Sequence, residues 1–356
     1  MKNKRSWILF AAVAVLLGWT VRTILREQTP GQLWRALISA DLRFLLAGLA
    51  LMAAFIGCEA LSTHQILRAL GAGQSYRRCY FYSCSGFFFS NITPSATGGQ
   101  PAQVFYMNRD GVPPAYGTID MLLVTIGYHT AMVTYGILAL IVCPHLPEQM
   151  GGGVGLLLGL GFSVFFFLNA AMILFLFRPG PARRLGSWCV GAACRFRRSL
   201  DREALMEKLD VQLREYGEGA MLIRARPTLL PRVLLLSCAQ LGCSYFVTYM
   251  VYRAFHLSGA GFCEVFFLQV LCAIAVGYLP LPGAAGAAEN VFLRSFTVIF
   301  GAVLGPAMIL TRLVSCYVPL VATGISVLAV QLRLRRQKWT APAAKGREST
   351  SPEQPQ

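Results

Sequence analysis

Charged side chains are scarce in this sequence. Asp, Glu, Lys and Arg make up 13% of its 356 residues, where an ordinary soluble domain carries about 25%. Apolar residues reach 55% and the mean hydropathy is +0.55, so the chain is solvated mostly by lipid, and no remaining stretch is left to fold as a separate soluble enzyme. Metal-binding and catalytic signatures are also lacking. The 11 cysteines show no CxxC or Cys/His ligand spacing, so they read as small packing residues rather than ligands. There is no Ser/His/Asp triad and no Gly-Lys phosphate loop, and the expected cofactor, metal and catalytic sets are empty.

Acids are the scarcer charge: 16 Asp and Glu stand against 32 Lys and Arg, for a net charge of +16. The excess falls beside apolar runs, not on an aromatic-interleaved platform, which argues against nucleic acid as a partner. Runs long enough to cross a core of about 30 Å, which takes roughly 20 helical residues, cover 7–25, 44–67, 117–142, 153–177, 233–255 and 304–332. The first is expected to be an uncleaved anchor, because it lacks a small-residue cleavage pattern. Twelve Lys and Arg fall in 178–232 and six in 333–347, against Arg26, Arg35 and Arg43 in the loops of the other side. By the positive-inside rule both termini are expected in the cytoplasm of a bacterial cell, with the basic faces on the anionic inner leaflet.

Two further apolar stretches are too short to cross. The first, 80–92, stops at Thr93-Pro94-Ser95-Ala96-Thr97-Gly98-Gly99-Gln100-Pro101. The second, 263–279, stops at Pro280-Leu281-Pro282-Gly283-Ala284-Ala285-Gly286. Proline removes a backbone donor and glycine permits unusual dihedrals, so both are expected to unwind at membrane depth. Such backbone is tolerated only inside protein or along a wet cavity. The charge-derived topology sends the two hairpins in from opposite sides, the pattern of a transporter site between inverted repeats. Kinked helices packed for shape are the structural alternative.

At these breaks the sequence resembles the transmembrane domain of lysylphosphatidylglycerol synthases and its stand-alone flippase-like relatives. The family's Asn, Pro and Gly-Gly fall on Asn91, Pro94, Gly98 and Gly99. Its Pro-x-Pro-Gly stretch and helix-opening Glu fall on Pro280, Pro282, Gly283, Gly286 and Glu289, and Arg312, Tyr317 and Pro319 fit its last helix. Where many relatives carry an acid and then an Arg three residues on, this chain has Gln100 and Gln103, replacing an ion pair with neutral amides. The resemblance implies an all-α polytopic membrane protein of about six transmembrane helices plus two re-entrant broken-helix pairs in an inverted-repeat-like arrangement. A flippase-like domain over 1–332, with 178–232 as a basic cytosolic amphipathic connector, is expected to precede a disordered cytosolic tail at 333–356. The implied activity is translocation of a phosphate-bearing lipid such as aminoacylated phosphatidylglycerol or a related glycolipid or polyprenyl lipid. The alternatives are a phosphatidylglycerol lysyltransferase component in lipid modification and cationic antimicrobial peptide resistance, a small-solute secondary transporter, and a non-transporting partner protein. The tail leaves no room for a transferase domain, so a stand-alone form is expected.

Candidate headgroup residues are therefore Asn91, Pro94, Gly98, Gly99, Gln100, Gln103, Pro280, Pro282, Gly283, Gly286, Glu289, Arg294 and Arg312. Glu289 reads either as part of an anion site or as a helix cap, and Arg312 either as a phosphate ligand or as an ion pair between helices; Arg294 reads as snorkelling to the boundary. Glu59, Asp120 and His129 are candidates for ion coupling. Leu205, Leu209, Leu213 and Tyr216 share one face of an amphipathic helix. That helix reads as a connector between the halves, or as a docking surface for a separately encoded cytosolic synthase. Gly-x-x-x-Gly spacings in 151–161 favour close helix packing, with homo-oligomer formation as one use.

Overall fold

The computed structural model describes residues 38–93, 96–177, 202–279, 281–284 and 286–340, with isolated positions at 31, 34, 184, 187, 188 and 191. The expected first span at 7–25, the prolines Pro94 and Pro280, and the tail at 341–356 lie outside the described residues. Within them the chain is helical, with no strand: α1 (Leu42–Ala69), α2 (Tyr76–Ile92), α3 (Gly99–Arg109), α4 (Pro114–Val142), α5 (Gly152–Phe177), α6 (Arg202–Arg224), α7 (Leu229–Ala254), α8 (Phe262–Val276), α9 (Ala287–Ser295), α10 (Leu304–Arg312) and α11 (Val318–Thr340). Five helical stretches are long and apolar enough to cross a membrane, over Leu42–Ala69, Pro114–Val142, Gly153–Leu174, Leu229–Ala254 and Thr297–Leu332. They coincide with the five expected spans that fall in the described residues. The protein is an all-α polytopic membrane protein.

Hydrogen bonds establish which ends lie together. The Asp41 N–H donates to the Ala254 carbonyl at 2.9 Å, so α1 begins where α7 ends. Gln74, after α1, reaches the Asp110 carbonyl at 3.4 Å, and Tyr82 donates to Asp110 Oδ2 at 2.6 Å. The chain therefore goes in along α2 and comes back along α3 to the Gln74 end. The second hairpin behaves the same way from the opposite end. Tyr252, two residues before α7 ends, accepts from Ala260 N–H at 2.7 Å just before α8. It also meets Phe300, beyond α9, with ring centroids 5.7 Å apart. Both short helices are re-entrant, and they penetrate from opposite ends. At about 1.5 Å per residue, the 17 residues of α2 and the 15 of α8 are too short to cross.

Two details depart from the sequence expectations. The last crossing is not one helix: α10 and α11 are joined by a π turn over Leu313–Tyr317. Pro319 cannot supply the N–H that a regular turn needs at its position, and widening the helix is one way to absorb that loss. The same helix also continues to Thr340, past the boundary drawn at 332. The connector helix α6 lies on the Gln74 end, with Tyr216 and Ile223 buried among Ile66, Leu70, Ile119 and Leu229. Gly219 lets α6 sit directly over Ile119, so this face of the amphipathic helix is used within the chain. Gly161 of α5 likewise rests on the Ile274 carbonyl of α8, whereas Gly153, Gly155 and Gly159 face open space. Leu156, Phe166 and Phe167 of α5 and Ile141 of α4 are exposed, an apolar surface suited to lipid contact.

Candidate functional site

The second break is a short turn, Pro282–Ala284, followed by α9. Gly283 and Gly286 take φ of 58° and 83°, and Ala284 is forced to 52°, a left-handed conformation that costs a non-glycine residue about 1–2 kcal/mol. What holds it is Glu289, the third residue of α9. Its Oε2 accepts the Gly286 N–H at 2.6 Å and its Oε1 accepts from Arg312 Nε at 2.6 Å. Arg312 Nη2 also donates to the Gly283 carbonyl at 2.9 Å, and the guanidinium carbon stands 5.9 Å from the Tyr317 ring centre. Glu289 is thus both helix cap and ion-pair partner, favoured at a helix N-terminus by the macrodipole. The pair is shielded, with side-chain exposures of 17% for Arg312 and 7% for Glu289.

The first break abuts the second. Asn91, the penultimate residue of α2, anchors its amide on the Phe87 carbonyl at 2.9 Å. Its Oδ1 accepts from Cys316 Sγ at 3.5 Å and lies 3.5 Å from where a side chain on Gly283 would begin. Ala96 in this break also has a positive φ, of 54°. The end of α2 at the first break therefore meets the second unwound turn and the π turn, the arrangement expected of broken helices at a shared site.

The sequence candidates separate into three groups. Asn91, Gly283, Gly286, Glu289 and Arg312 come together, with the backbone of Pro282 in the same turn. Gly98 and Gly99 act through packing: a side chain on Gly99 would overlap Ser90 and one on Gly98 would overlap Thr93, while the Gly98 N–H donates to Thr93 Oγ1 at 2.9 Å. Gln100, Gln103 and Arg294 lie apart from the ion pair. Gln100 is exposed and donates to Thr125 Oγ1 at 2.7 Å, Arg294 is exposed near the end of α9, and Gln103 is buried with its amide 3.0 Å from Glu59 Oε1. His129 contacts Phe165, ring centres 5.1 Å apart, and bonds to neither Glu59 nor Asp120. Gln240, which sequence reasoning missed, donates to Glu59 Oε2 at 3.0 Å. An amide within an apolar run was its available signal.

Two cavities flank these segments. A partly open space of about 70 Å³ lies against the ion pair, with Gln269, Thr311 and Ser315 in its wall; Gln269 Oε1 and Thr311 Oγ1 have no protein partner. It has room for about two waters. A groove of about 550 Å³ runs between α3 and α4, from Gln100 at the first break to Asn108 and Pro114, with Met172 of α5 on its rim. Its wall is mainly apolar, with Thr118 and Thr125 among the few polar groups, and Phe105 is 56% exposed.

A curated UPF0104 membrane protein of Pyrococcus horikoshii is 25% identical over 338 residues, covering 89% of this chain and 93% of its own. The family model described as the lysylphosphatidylglycerol synthase TM region matches residues 6–323. That match takes in the first four described crossings, the last one as far as residue 323, and both breaks, and the chain belongs to this family.

Proposed function

We propose that this protein moves a phosphate-bearing membrane lipid between leaflets, with aminoacylated phosphatidylglycerol, or a related glycolipid or polyprenyl lipid, as the substrate class. The observation that carries the reading is the groove that ends at Gln100. It is apolar enough for acyl chains, open between helices, and reaches the first break at Gln100 and Pro101. A carrier of small solutes would need a polar chamber of substrate size, whereas the space at the ion pair is about 70 Å³.

The ion pair supplies the headgroup chemistry. Arg312 has five N–H donors and uses two of them on Glu289 and Gly283. A lipid phosphate competes with the Glu289 carboxylate for this fork, and Arg favours such planar, two-point recognition. Exchange of partners releases the carbonyl of Gly283, so headgroup binding loosens the turn that packs against Asn91 of the first half. The basic stretch 68–79 and the helix α6 lie at the Gln74 end, which the positive-inside rule assigns to the cytoplasm of a bacterial cell. Outward display of an aminoacylated lipid lowers the surface negative charge, which would reduce attraction of cationic antimicrobial peptides.

The test is leaflet exposure of labelled aminoacylated phosphatidylglycerol in liposomes carrying the purified full-length protein, with Glu289→Gln and Arg312→Ala alongside. Movement that both variants lose supports the reading. No movement above protein-free liposomes, across several anionic and aminoacylated lipids, overturns it.

A further inference from the structure

A second polar cluster lies inside the first half, and nothing in the headgroup chemistry uses it. Glu59 of α1 spends one carboxylate oxygen on the Gln103 amide and the other on the Gln240 amide, each at 3.0 Å. Asp120 of α4 is 0% exposed, and neither of its oxygens has a hydrogen-bond partner. Thr63, one helical turn from Glu59 on α1, is also 0% exposed and stands beside Asp120 with its hydroxyl unpaired. Ser83 of α2, 1% exposed and with an unpaired hydroxyl, stands beside Glu59. Gln103 Oε1 is a further buried oxygen without a donor.

The titratable neighbours are few. The titratable groups near enough to interact electrostatically with Asp120 are Glu59 of α1 and Cys79 of α2, and with Glu59 they are Asp120 and Tyr128 of α4 and Cys84 of α2. Among the described residues neither acid has a Lys, Arg or His partner. Two carboxylates in one low-dielectric region, without a cation, cannot both stay ionised without a cost of several kcal/mol. Glu59 has two amide donors that suit the ionised form. Asp120 has only the Thr63 hydroxyl beside it.

We propose that Glu59 and Asp120 form a proton-binding site that holds one shared proton and links the first break to the transmembrane proton gradient. The link to transport rests on the lipid-translocation reading above; the proton site does not. The proton bonds to a carboxylate oxygen of Asp120, converting carboxylate to acid, and its transfer to Glu59 leaves Asp120 ionised beside the Thr63 hydroxyl, which can donate to it. Protonating Glu59 removes the charge that strengthens its bond from Gln103, and Gln103 sits on α3, which begins at the break. A metal ion fits less well. Among the described residues no group of three or more His, Cys, Asp or Glu converges on a point.

The experiment pairs infrared difference spectroscopy on the purified full-length protein with lipid movement in liposomes under an imposed pH gradient. For wild type, a pH step changes a protonated-carboxyl carbonyl band that Asp120→Asn abolishes and Glu59→Gln alters, both variants remaining monodisperse. One coupled proton lets a gradient of one pH unit bias the leaflet distribution by about tenfold, and Asp120→Asn loses that bias. A band that neither variant affects, or one that responds to sodium instead of pH, overturns the site. If wild type shows the band yet moves no lipid, the translocation reading fails and the proton site stands. If lipid moves without a pH response and without the band, the site fails and translocation stands.

Discussion

Arg312 and Glu289 are joined at 2.6 Å across the second break, so a residue of the last crossing fixes the start of the helix that follows the unwound turn. One contact ties a span, a half-helix and, through the Gly283 carbonyl, the turn itself.

Removing one partner leaves the other uncompensated in a shielded place. Arg312→Ala is expected to destabilise the protein by about 3–5 kcal/mol, read as a lowered midpoint of thermal unfolding in detergent. Arg312→Lys keeps the charge but cannot serve both Glu289 and Gly283 with a planar fork, so its midpoint should fall between the two. Equal midpoints for Lys and Ala would show that the charge, rather than the fork, does nothing for the break.

The left-handed alanines give a test with the opposite sign. Ala284→Gly relieves a conformation that costs an L-residue about 1–2 kcal/mol, so it should raise or preserve the unfolding midpoint. Ala131→Gly, in the interior of α4, should lower stability by about 0.5–1 kcal/mol or more, because Ala131 is fully buried. A loss at Ala284 as large as at Ala131 would contradict the geometry of the turn.

The hairpin glycines should be intolerant where those of α5 are not. Gly86 and Gly99 face Gln103 and Ser90 too closely for a methyl group, whereas Gly155 and Gly159 have nothing within 4 Å. Gly99→Ala is expected to cost about 1–3 kcal/mol through overpacking. Gly155→Ala should be neutral or stabilising by a few tenths of a kcal/mol, since alanine favours helix. Unfolding midpoints of the two variants, measured side by side, decide the point.

Filling the groove should separate transport from folding. Val104→Trp and Thr118→Trp project bulk into a space of about 550 Å³. Each should slow lipid movement by about tenfold, equivalent to 1.4 kcal/mol of barrier, while the unfolding midpoint changes little. Unchanged movement in both would remove the groove from the pathway.

Much of the architecture is written in local composition. The long apolar runs of α1, α4, α5 and α7 mark crossings because lipid demands about 20 helical residues with satisfied backbone. The Pro and Gly clusters mark the breaks because they act on their own dihedrals. Even the opposite polarity of the hairpins was legible, through the distribution of Lys and Arg. Which side chains share a site was not. Gln103 looked like a neighbour of Gln100 on the headgroup path, yet the two sit three residues apart on a helix and face different partners, Glu59 and Thr125. Arg294, close to Glu289 in sequence, lies exposed at the far end of α9.

The sequence by itself determined that this is a polytopic membrane protein with two interrupted re-entrant segments, because hydropathy, proline and glycine act within a few residues of where they occur. Only the tertiary structure decided that Arg312 closes the second break, that Asn91 brings the first break against it, and that Glu59 and Asp120 share a buried place without a cation. Those relationships join residues as far apart as Asn91 and Cys316, and a contact of that span depends on how crossings pack around one another, which no local pattern encodes.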